Sequence, residues 1–421
     1  DQYFAVGGAL RHIDFDPIPG TLNCANFPAS VSTAPIQSME ISLYPAYNVL
    51  SKMIYPDAEM RKDIMCIGGT SQWPATLFRG IDQWGERYGY LLIDPIGGAI
   101  GAFSHGDGIN TGGQSRTPIC QLPNVEHTEQ SFPVLFLYRK ELPDSGGAGK
   151  YRGGLSAESC FIPHNTTVIT QDTLSSGNAT PTSTGMMGGY PSTTNAYTFL
   201  RNTDILERMA ARKMVEDIHE VVGEEELLQL RQENFLQHKA DVYAVRWTGG
   251  GGFGDPMDRA LADIAEDLEH LSVTPQAAHD LYGAVLDANG EIDEAASVAH
   301  RARVRRDRVV RGARASQQRP GTLLCEASVN LQVQRDAAGT YWACAKCSTD
   351  LGASHANYKD GCLREDHPVT DSNPLIGDPK RFIDDDVTFR QFFCPGCGAE
   401  IDNEIAVTTD DVLADIHVAV G

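Results

Sequence analysis

The sequence predicts an α+β fold: a mixed strand and helix core followed by a smaller, cysteine-bearing module. Three observations predict it. A strand-like stretch, Asp241 to Trp247, runs into four consecutive glycines, Gly249 to Gly252, and leaves through Gly254-Asp255-Pro256 into an amphipathic segment. Upstream of that run, β-branched and aromatic segments alternate with Gly/Pro turns, and downstream three helical patterns follow one another. Beyond Arg319-Pro320-Gly321 the composition changes, and Cys344-Ala-Lys-Cys347 and Cys394-Pro-Gly-Cys397 form two CxxC pairs. Two domains are expected, residues 1–312 for the mixed core and 313–421 for the module.

Composition narrows the function. The 421 residues suffice for two or three domains with a sizeable core. No run of about 18 apolar residues occurs, so no membrane span is expected. The formal net charge is −22, from 34 basic and 56 acidic side chains. Such a balance disfavours nucleic acid and anionic membranes as partners. Ten cysteines are too sparse for a secreted disulfide scaffold. Four of them in CxxC pairs favour metal in a reducing compartment, hence a cytoplasmic location.

In chain order, Ser38 to Met53 has apolar residues at helical spacing, although Pro45 interrupts it. Gly85 to Phe103 has strand character. His105-Gly-Asp107-Gly108 follows in a glycine-rich loop, with Asn124 and Glu126 beyond it. His105, Asp107, Asn124 and Glu126 are the candidate catalytic residues, as general base, metal ligand or substrate hydrogen-bonding groups. The same residue types also build hydrogen-bonded networks that fix a loop. Ser131 to Leu142 reads as a strand. Arg152 after it could clamp an anion with its guanidinium fork, or pair with a nearby carboxylate. Thr166 to Thr194, rich in Ser, Thr and Gly, reads as a loop, a lid or a contact. Asp204 to Glu233 reads as helical, with Leu206, Met209, Met214, Val215 and Ile218 forming a core stripe.

The glycine run permits two readings. Gly250, Gly251 and Gly252 can offer backbone N–H groups to an anion. Equally, they can make a tight turn buried at a contact. Asp255 and Pro256 are expected at the N-cap and first helical position, with Met257, Leu261, Ile264 and Leu268 on one face. Thr274 is expected to cap a second helix and Asp293 a third, which runs into the arginine tract Arg301 to Arg314.

Thiolates are the ligands zinc prefers, and a two-residue gap lets both sulfurs of a pair reach one ion. Cys344, Cys347, Cys394 and Cys397 are therefore the expected ligands of one structural zinc, with no open position for catalysis. Cys325, Cys362, His355 and His367 are alternative ligands, and a redox role for the pairs is a further reading.

Two motifs carry a family resemblance. Gly249-Gly-Gly-Gly-Phe-Gly-Asp-Pro256, continued by Met257-Asp-Arg259, Val273-Thr-Pro-Gln-Ala-Ala278 and Gly290-Glu-Ile-Asp-Glu-Ala-Ala296, resembles the C-terminal signature of the hydantoinase B/oxoprolinase family. Leu142-Pro-Asp-Ser-Gly-Gly-Ala-Gly-Lys-Tyr-Arg-Gly-Gly-Leu155 looks like its other strong signature, and the resemblance spans roughly residues 20 to 312. It implies a hydantoinase B-like core. Asn124 and Glu126 match the family's Asn and Glu positions after an Asp-Gly turn. Family members also carry a further half with histidine- and aspartate-rich motifs, which do not occur in these residues.

The resemblance implies a hydantoinase A-like, ATP-binding partner and other subunits, with ATP and Mg²⁺ or Mn²⁺ bound mainly by partner chains. The family divides into ATP-dependent cyclic amide hydrolases and ATP-dependent ketone carboxylases. The zinc module points to the carboxylases. The implied reaction joins a small aromatic ketone, acetophenone, to bicarbonate without biotin, giving benzoylacetate. A hydantoinase or 5-oxoprolinase type hydrolase subunit is the alternative, and a noncatalytic scaffold subunit a third.

Overall fold

The computed structural model describes residues 14, 16–21, 24–29, 31, 34–64, 66, 74–114, 117–118 and 122–418. Much of the stretch before Ala34, read above as strands and turns, lies outside the described residues.

Two antiparallel sheets face each other in the first part of the chain. One runs, in spatial order, Arg231–His238, Val168–Leu174, Ala75–Ile81 and Arg87–Leu91. The other runs Val134–Glu141, Ala157–Pro163, Val242–Arg246, Ala196–Arg201 and Glu224–Glu225. Alternate residues of Val168–Leu174 are buried, the period-two pattern of a strand with one inward face. Aromatic rings from both sheets meet in the core. Phe78 lies 5.7 Å from Phe161, and Phe199 lies 5.4 Å from Phe235, centroid to centroid.

Among the described residues there are six α-helices: α1 (Ala34–Ile54), α2 (Val125–Ser131), α3 (Ile205–Ala210), α4 (Leu261–Glu269), α5 (Pro275–Asp280) and α6 (Glu294–Gly312). Pro45 sits inside α1 without ending it. The expected caps form: Thr274 Oγ1 accepts from Ala277 N at 3.2 Å, and Asp293 Oδ1 accepts from Ala296 N at 2.9 Å. The fold is the mixed strand and helix architecture that the sequence predicts.

Several segments differ from expectation. Asp204 to Glu233 is not one helix but the short α3, a 3₁₀ turn at Ile218–Glu220 and strand residues. Ile205, Val215, Ile218 and Val221 are buried against the sheet, whereas Met214 is 76% exposed. The apolar spacing belongs to an irregular segment laid across a sheet face, with Arg212 at φ 56° breaking the helix. Gly85 to Phe103 is a strand only over Arg87–Leu91, because Asp94–Gly97 closes into a 3₁₀ turn. Asp255 caps only a 3₁₀ turn, Pro256–Asp258, and extended Arg259 separates it from α4. Thr166 to Thr194 contains the strand Val168–Leu174, and its remainder is largely buried rather than a free flap.

The cysteine-bearing part forms a four-stranded sheet, Thr322–Glu326, Leu331–Asp336, Gly339–Cys344 and Asp350–Ala353, beside a three-stranded one, Leu363–Pro368, Val387–Phe393 and Glu400–Val407. Leu331, Val333, Trp342, Tyr358, Phe392 and Ile401 pack between them.

Three glycine-rich turns interlock where these parts meet. Gly250 N donates to Gly154 O at 2.9 Å, Gly147 N to Gly250 O at 2.8 Å, and Gly252 N to Tyr190 O at 2.9 Å. A Cβ on Gly251 would lie 2.1 Å from Thr184 O, and one on Gly252 would lie 2.1 Å from Ala148 O. Neither neighbour is a flexible side chain, so nothing can give way. Gly251→Val and Gly252→Val are each expected to abolish the cooperative thermal transition, whereas Gly377→Ala, with open space around its Cβ position, is expected to leave it in place.

Glu400 sits at the same junction, fully buried. Its carboxylate accepts from Tyr190 Oη at 3.2 Å and from Gln391 Nε2 at 3.0 Å, and lies 3.7 Å from Arg308. Burial pushes its carboxyl up to about 8 against the opposing charge of Arg308. The folded state thus holds this proton more tightly than the unfolded state. Its contribution to stability is complete below the unfolded value of about 4.3 and is lost as pH rises through about 8. Denaturant titrations from pH 6 to 9 are expected to show Glu400→Gln gaining stability relative to the unaltered chain as pH rises.

Candidate functional site

The polar loop and the glycine turns border a cavity of about 520 Å³ against α4. Asp107 is its central group. Its Oδ1 accepts from the Arg152 backbone N at 2.7 Å, and its two oxygens take a forked pair from Arg259 at 2.7 and 2.6 Å. Arg259 also donates to Asp267 Oδ2 at 2.7 Å, and Arg152 Nε donates to Asp267 Oδ1 at 3.1 Å. Carboxylates and guanidiniums therefore alternate: Asp107, Arg259, Asp267, Arg152. Arg259 and Arg152 are buried, so their charges need these partners. Burial raises the Asp107 carboxyl, but Arg259 and then Arg152 outweigh it and hold it below the usual carboxylate range.

The structure brings His105, Asp107 and Arg152 to this one cavity. His105 is exposed at its rim, its ring 5.6 Å from Phe103. Arg152 takes the carboxylate pairing, and its Nη1 also donates to Gly153 O at 2.7 Å. Asn124 and Glu126 are not among the residues lining the cavity. Asn124 Oδ1 accepts from His127 N at 2.9 Å as the N-cap of α2, and Glu126 is exposed in its first turn. The amides of Gly250 and Gly252 donate to Gly154 and Tyr190 carbonyls, which leaves neither for an anion.

Sequence reasoning missed Arg259 and Asp267. Arg259 closes the Pro256-Met-Asp-Arg motif, and Asp267 falls eight residues on among the apolar positions of α4. A charged residue on a helix's core-facing side calls for a buried partner, and that signal was available.

The thiols of Cys344, Cys347, Cys394 and Cys397 lie within 4.8 Å of one another. Cys344 and Cys397 are 3.7 Å apart and Cys347 and Cys394 3.5 Å, sulfur to sulfur. A tetrahedron with Zn–S of about 2.3 Å has edges of about 3.8 Å, so the spacing fits zinc. The two knuckles share one backbone plan. Ser348 N donates to Cys344 O and Gly398 N to Cys394 O, each at 2.9 Å, with Ser348 and Gly398 both at positive φ. Gly396 N also donates to Cys394 Sγ at 3.4 Å, the contact that favours a thiolate. Cys362 lies outside the cluster, its thiol donating to Tyr358 O at 3.5 Å. Cys325, His355 and His367 are not in it either. Among the described residues this is the single group of three or more His, Cys, Asp or Glu side chains gathered so closely.

A closed four-thiolate site holds fold rather than substrate. Elemental analysis after gel filtration is expected to find one zinc per chain. Each of Cys344→Ser, Cys347→Ser, Cys394→Ser and Cys397→Ser is expected to lose most of it. Undiminished zinc in all four variants would exclude this ligand set.

Two known families match different parts of this chain. Residues 4–256 match the hydantoinase B/oxoprolinase family, and residues 322–421 match the acetone carboxylase gamma subunit family. The chain is 27% identical to the acetone carboxylase alpha subunit of Xanthobacter autotrophicus, over 55% of this chain and 32% of that one. It is 25% identical to the acetophenone carboxylase delta subunit of Aromatoleum aromaticum, over 67% and 42%. It is 33% identical to the caprolactamase subunit beta of Pseudomonas jessenii, over 42% and 28%. The chain thus spans less than half the length of each of these relatives. The solved nucleotide-free structure of acetone carboxylase shares the fold, with TM-score 0.63 at 24% identity over 70% of this chain and 41% of that one. No described helix is long and apolar enough to cross a membrane. The chain belongs to the hydantoinase B/oxoprolinase family and carries an acetone carboxylase gamma-type module after it.

Proposed function

We propose that this chain works as part of an ATP-dependent, biotin-independent ketone carboxylase, with acetophenone and bicarbonate as substrates and benzoylacetate as product. The observation that carries the reading is the joining, in one chain, of a hydantoinase B region to a carboxylase gamma-type module with a four-thiolate cluster. We keep residues 1–312 and 313–421 as the two functional units.

In this reading the chain binds the activated ketone, keeps water from it and holds it beside the carboxyl donor. His105, exposed at the cavity rim, handles the proton lost from the ketone's methyl carbon. Asp107 and Arg152 hold the loop that carries it, through the alternating ring with Arg259 and Asp267. Asn124 caps α2, with Glu126 in its first turn, away from the cavity lining, and Gly250 to Gly252 let the turns meet without side chains. Zinc, held by Cys344, Cys347, Cys394 and Cys397, supplies rigidity to the module. No Walker A sequence occurs in the chain, so nucleotide binding falls to a hydantoinase A-like partner, with Mg²⁺ or Mn²⁺. A cytoplasmic location suits reduced thiolates.

The similarity to a caprolactamase subunit favours a second reading, ring-opening of a cyclic amide. One experiment separates the two. The isolated chain is expected to neither hydrolyse ATP nor fix carbon. With partner chains, ATP, divalent metal and ¹⁴C-bicarbonate, label is expected in benzoylacetate. His105→Ala is expected to lower that turnover about a hundredfold with an unchanged melting temperature. A complex that opens a lactam or hydantoin and fixes no label would transfer the assignment to the hydrolases.

A further inference from the structure

A second cavity, of about 440 Å³, opens between α1, the loop at Thr182 and Thr184, and the cysteine-bearing module. Tyr44, Val49, Ile405 and Leu413 give it apolar walls. Its floor is charged. Lys52 of α1 pairs with Asp415 and lies 3.6 Å from Asp402. Lys359 lies 3.1 Å from Glu404, 3.3 Å from Asp415 and 3.5 Å from Asp402. Tyr358 Oη lies 3.0 Å from both Asp402 Oδ2 and Asp415 Oδ1, its single O–H shared between the two carboxylates. Asp415 thus receives two ammonium groups and a phenol, a donor set suited to a carboxylate.

Asp415 does not belong to a regular element. Residues 411–418 form neither helix nor strand, and Val412, Ile416 and Val418 hold the segment by packing on the module's core. Such a segment moves at lower cost than a strand in a ladder. With Asp415 withdrawn, the cations Lys52, Lys359 and Arg390 would face only Asp402 and Glu404.

We propose that this cavity binds a small monocarboxylic acid with an apolar body, and that Asp415 holds the carboxylate position in the free protein. The incoming carboxylate takes the place of Asp415 on Lys52, Lys359 and Tyr358. The ligand body lies on Tyr44, Val49 and Leu413. Burial raises the Asp415 carboxyl, but Lys52 and Lys359 outweigh it and hold it well below the usual range, so the position favours an ionised group. The β-keto acid of the proposed carboxylation has this constitution, and that last step alone rests on the carboxylase reading.

Calorimetric titration of the full chain, without ATP or partner chains, tests the site with 3-phenylpropionate and with its neutral amide, 3-phenylpropanamide. Asp415→Asn is expected to bind the acid about tenfold more tightly than the unaltered chain does, and the amide no more tightly. Lys52→Met added to Asp415→Asn is expected to lose the acid. Val49→Trp, at a rim position 53% exposed, is expected to block the acid without touching the floor. Equal affinity for acid and amide would overturn the site, as would acid binding that Val49→Trp leaves intact. No binding by a folded Asp415→Asn would also overturn it. Should Asp415→Asn fail to fold, the unaltered chain must bind the acid and Val49→Trp must not, or the site is excluded. Carbon fixation plays no part in these measurements, so either reading can fail without the other.

Discussion

Where Gly250 meets Gly154 and Gly252 meets Tyr190, main chain lies on main chain with no room for a side chain. Every other feature is placed by that contact. The turn at Gly146 to Gly154 leads from one strand of the second sheet to its neighbour, and the run at Gly249 to Gly252 leaves a third strand of the same sheet. Held together, they fix Asp107 against the Arg152 backbone on one side and Tyr190 against Glu400 on the other. A glycine run usually signals freedom; here each added Cβ would strike a carbonyl oxygen, and the residues are buried. The entropy lost in ordering them is offset by backbone hydrogen bonds and by what their closeness lets neighbouring groups do.

Charge is organised the same way. The chain has 22 more acidic than basic groups, yet its buried arginines are spent inside it. Arg152 and Arg259 neutralise Asp107 and Asp267, and Arg305 joins Asp255 to Asp258 at 2.8 Å each. These guanidiniums answer the protein's own carboxylates and are not open anion receptors. Asp415 meets its cations, Lys52 and Lys359, from an irregular segment near the end of the described residues and beside an open cavity.

The sequence made some of this legible, and the reasons differ from residue to residue. Thr274, Asp293 and the four cysteines were readable because capping and zinc binding act over a few residues, so spacing alone carries the geometry. Strand Val242–Arg246 was readable by composition. The helix expected from Asp204 to Glu233 was not there, because apolar residues recurring every three or four positions also suit an irregular segment pressed on a sheet. The candidate site was legible only in part. His105, Asp107 and Arg152 sit on flanking loops of two motifs, and the cavity brings them together. Arg259, Asp267 and the Lys52, Lys359 and Asp415 cluster depend on contacts between distant parts of the sequence, such as Arg259 with Asp107 and Lys52 with Asp415. No local pattern encodes such distances.

Asp255 shows how the cysteine module is tied to the core. It follows the glycine run and caps the next turn through Met257 N at 2.9 Å. Its Oδ2 accepts from Arg305 of α6 at 2.8 Å and from Glu400 N at 3.2 Å. Glu400 lies three residues beyond Cys397, and Gly398 packs so closely on α6 that a Cβ there would lie 2.2 Å from Arg305 O. The second knuckle therefore presses on the helix that supplies Asp255's cation while its own strand supplies Asp255's amide donor. The four gathered cysteines, and the zinc they are suited to hold, would set the shape of that knuckle. Its influence passes through one carboxylate to the glycine run, and from there to the loops beside Asp107. On this geometry the cysteine module is a wall of the core's architecture, which gives a four-cysteine cluster a structural reason to accompany a hydantoinase B region in a single chain.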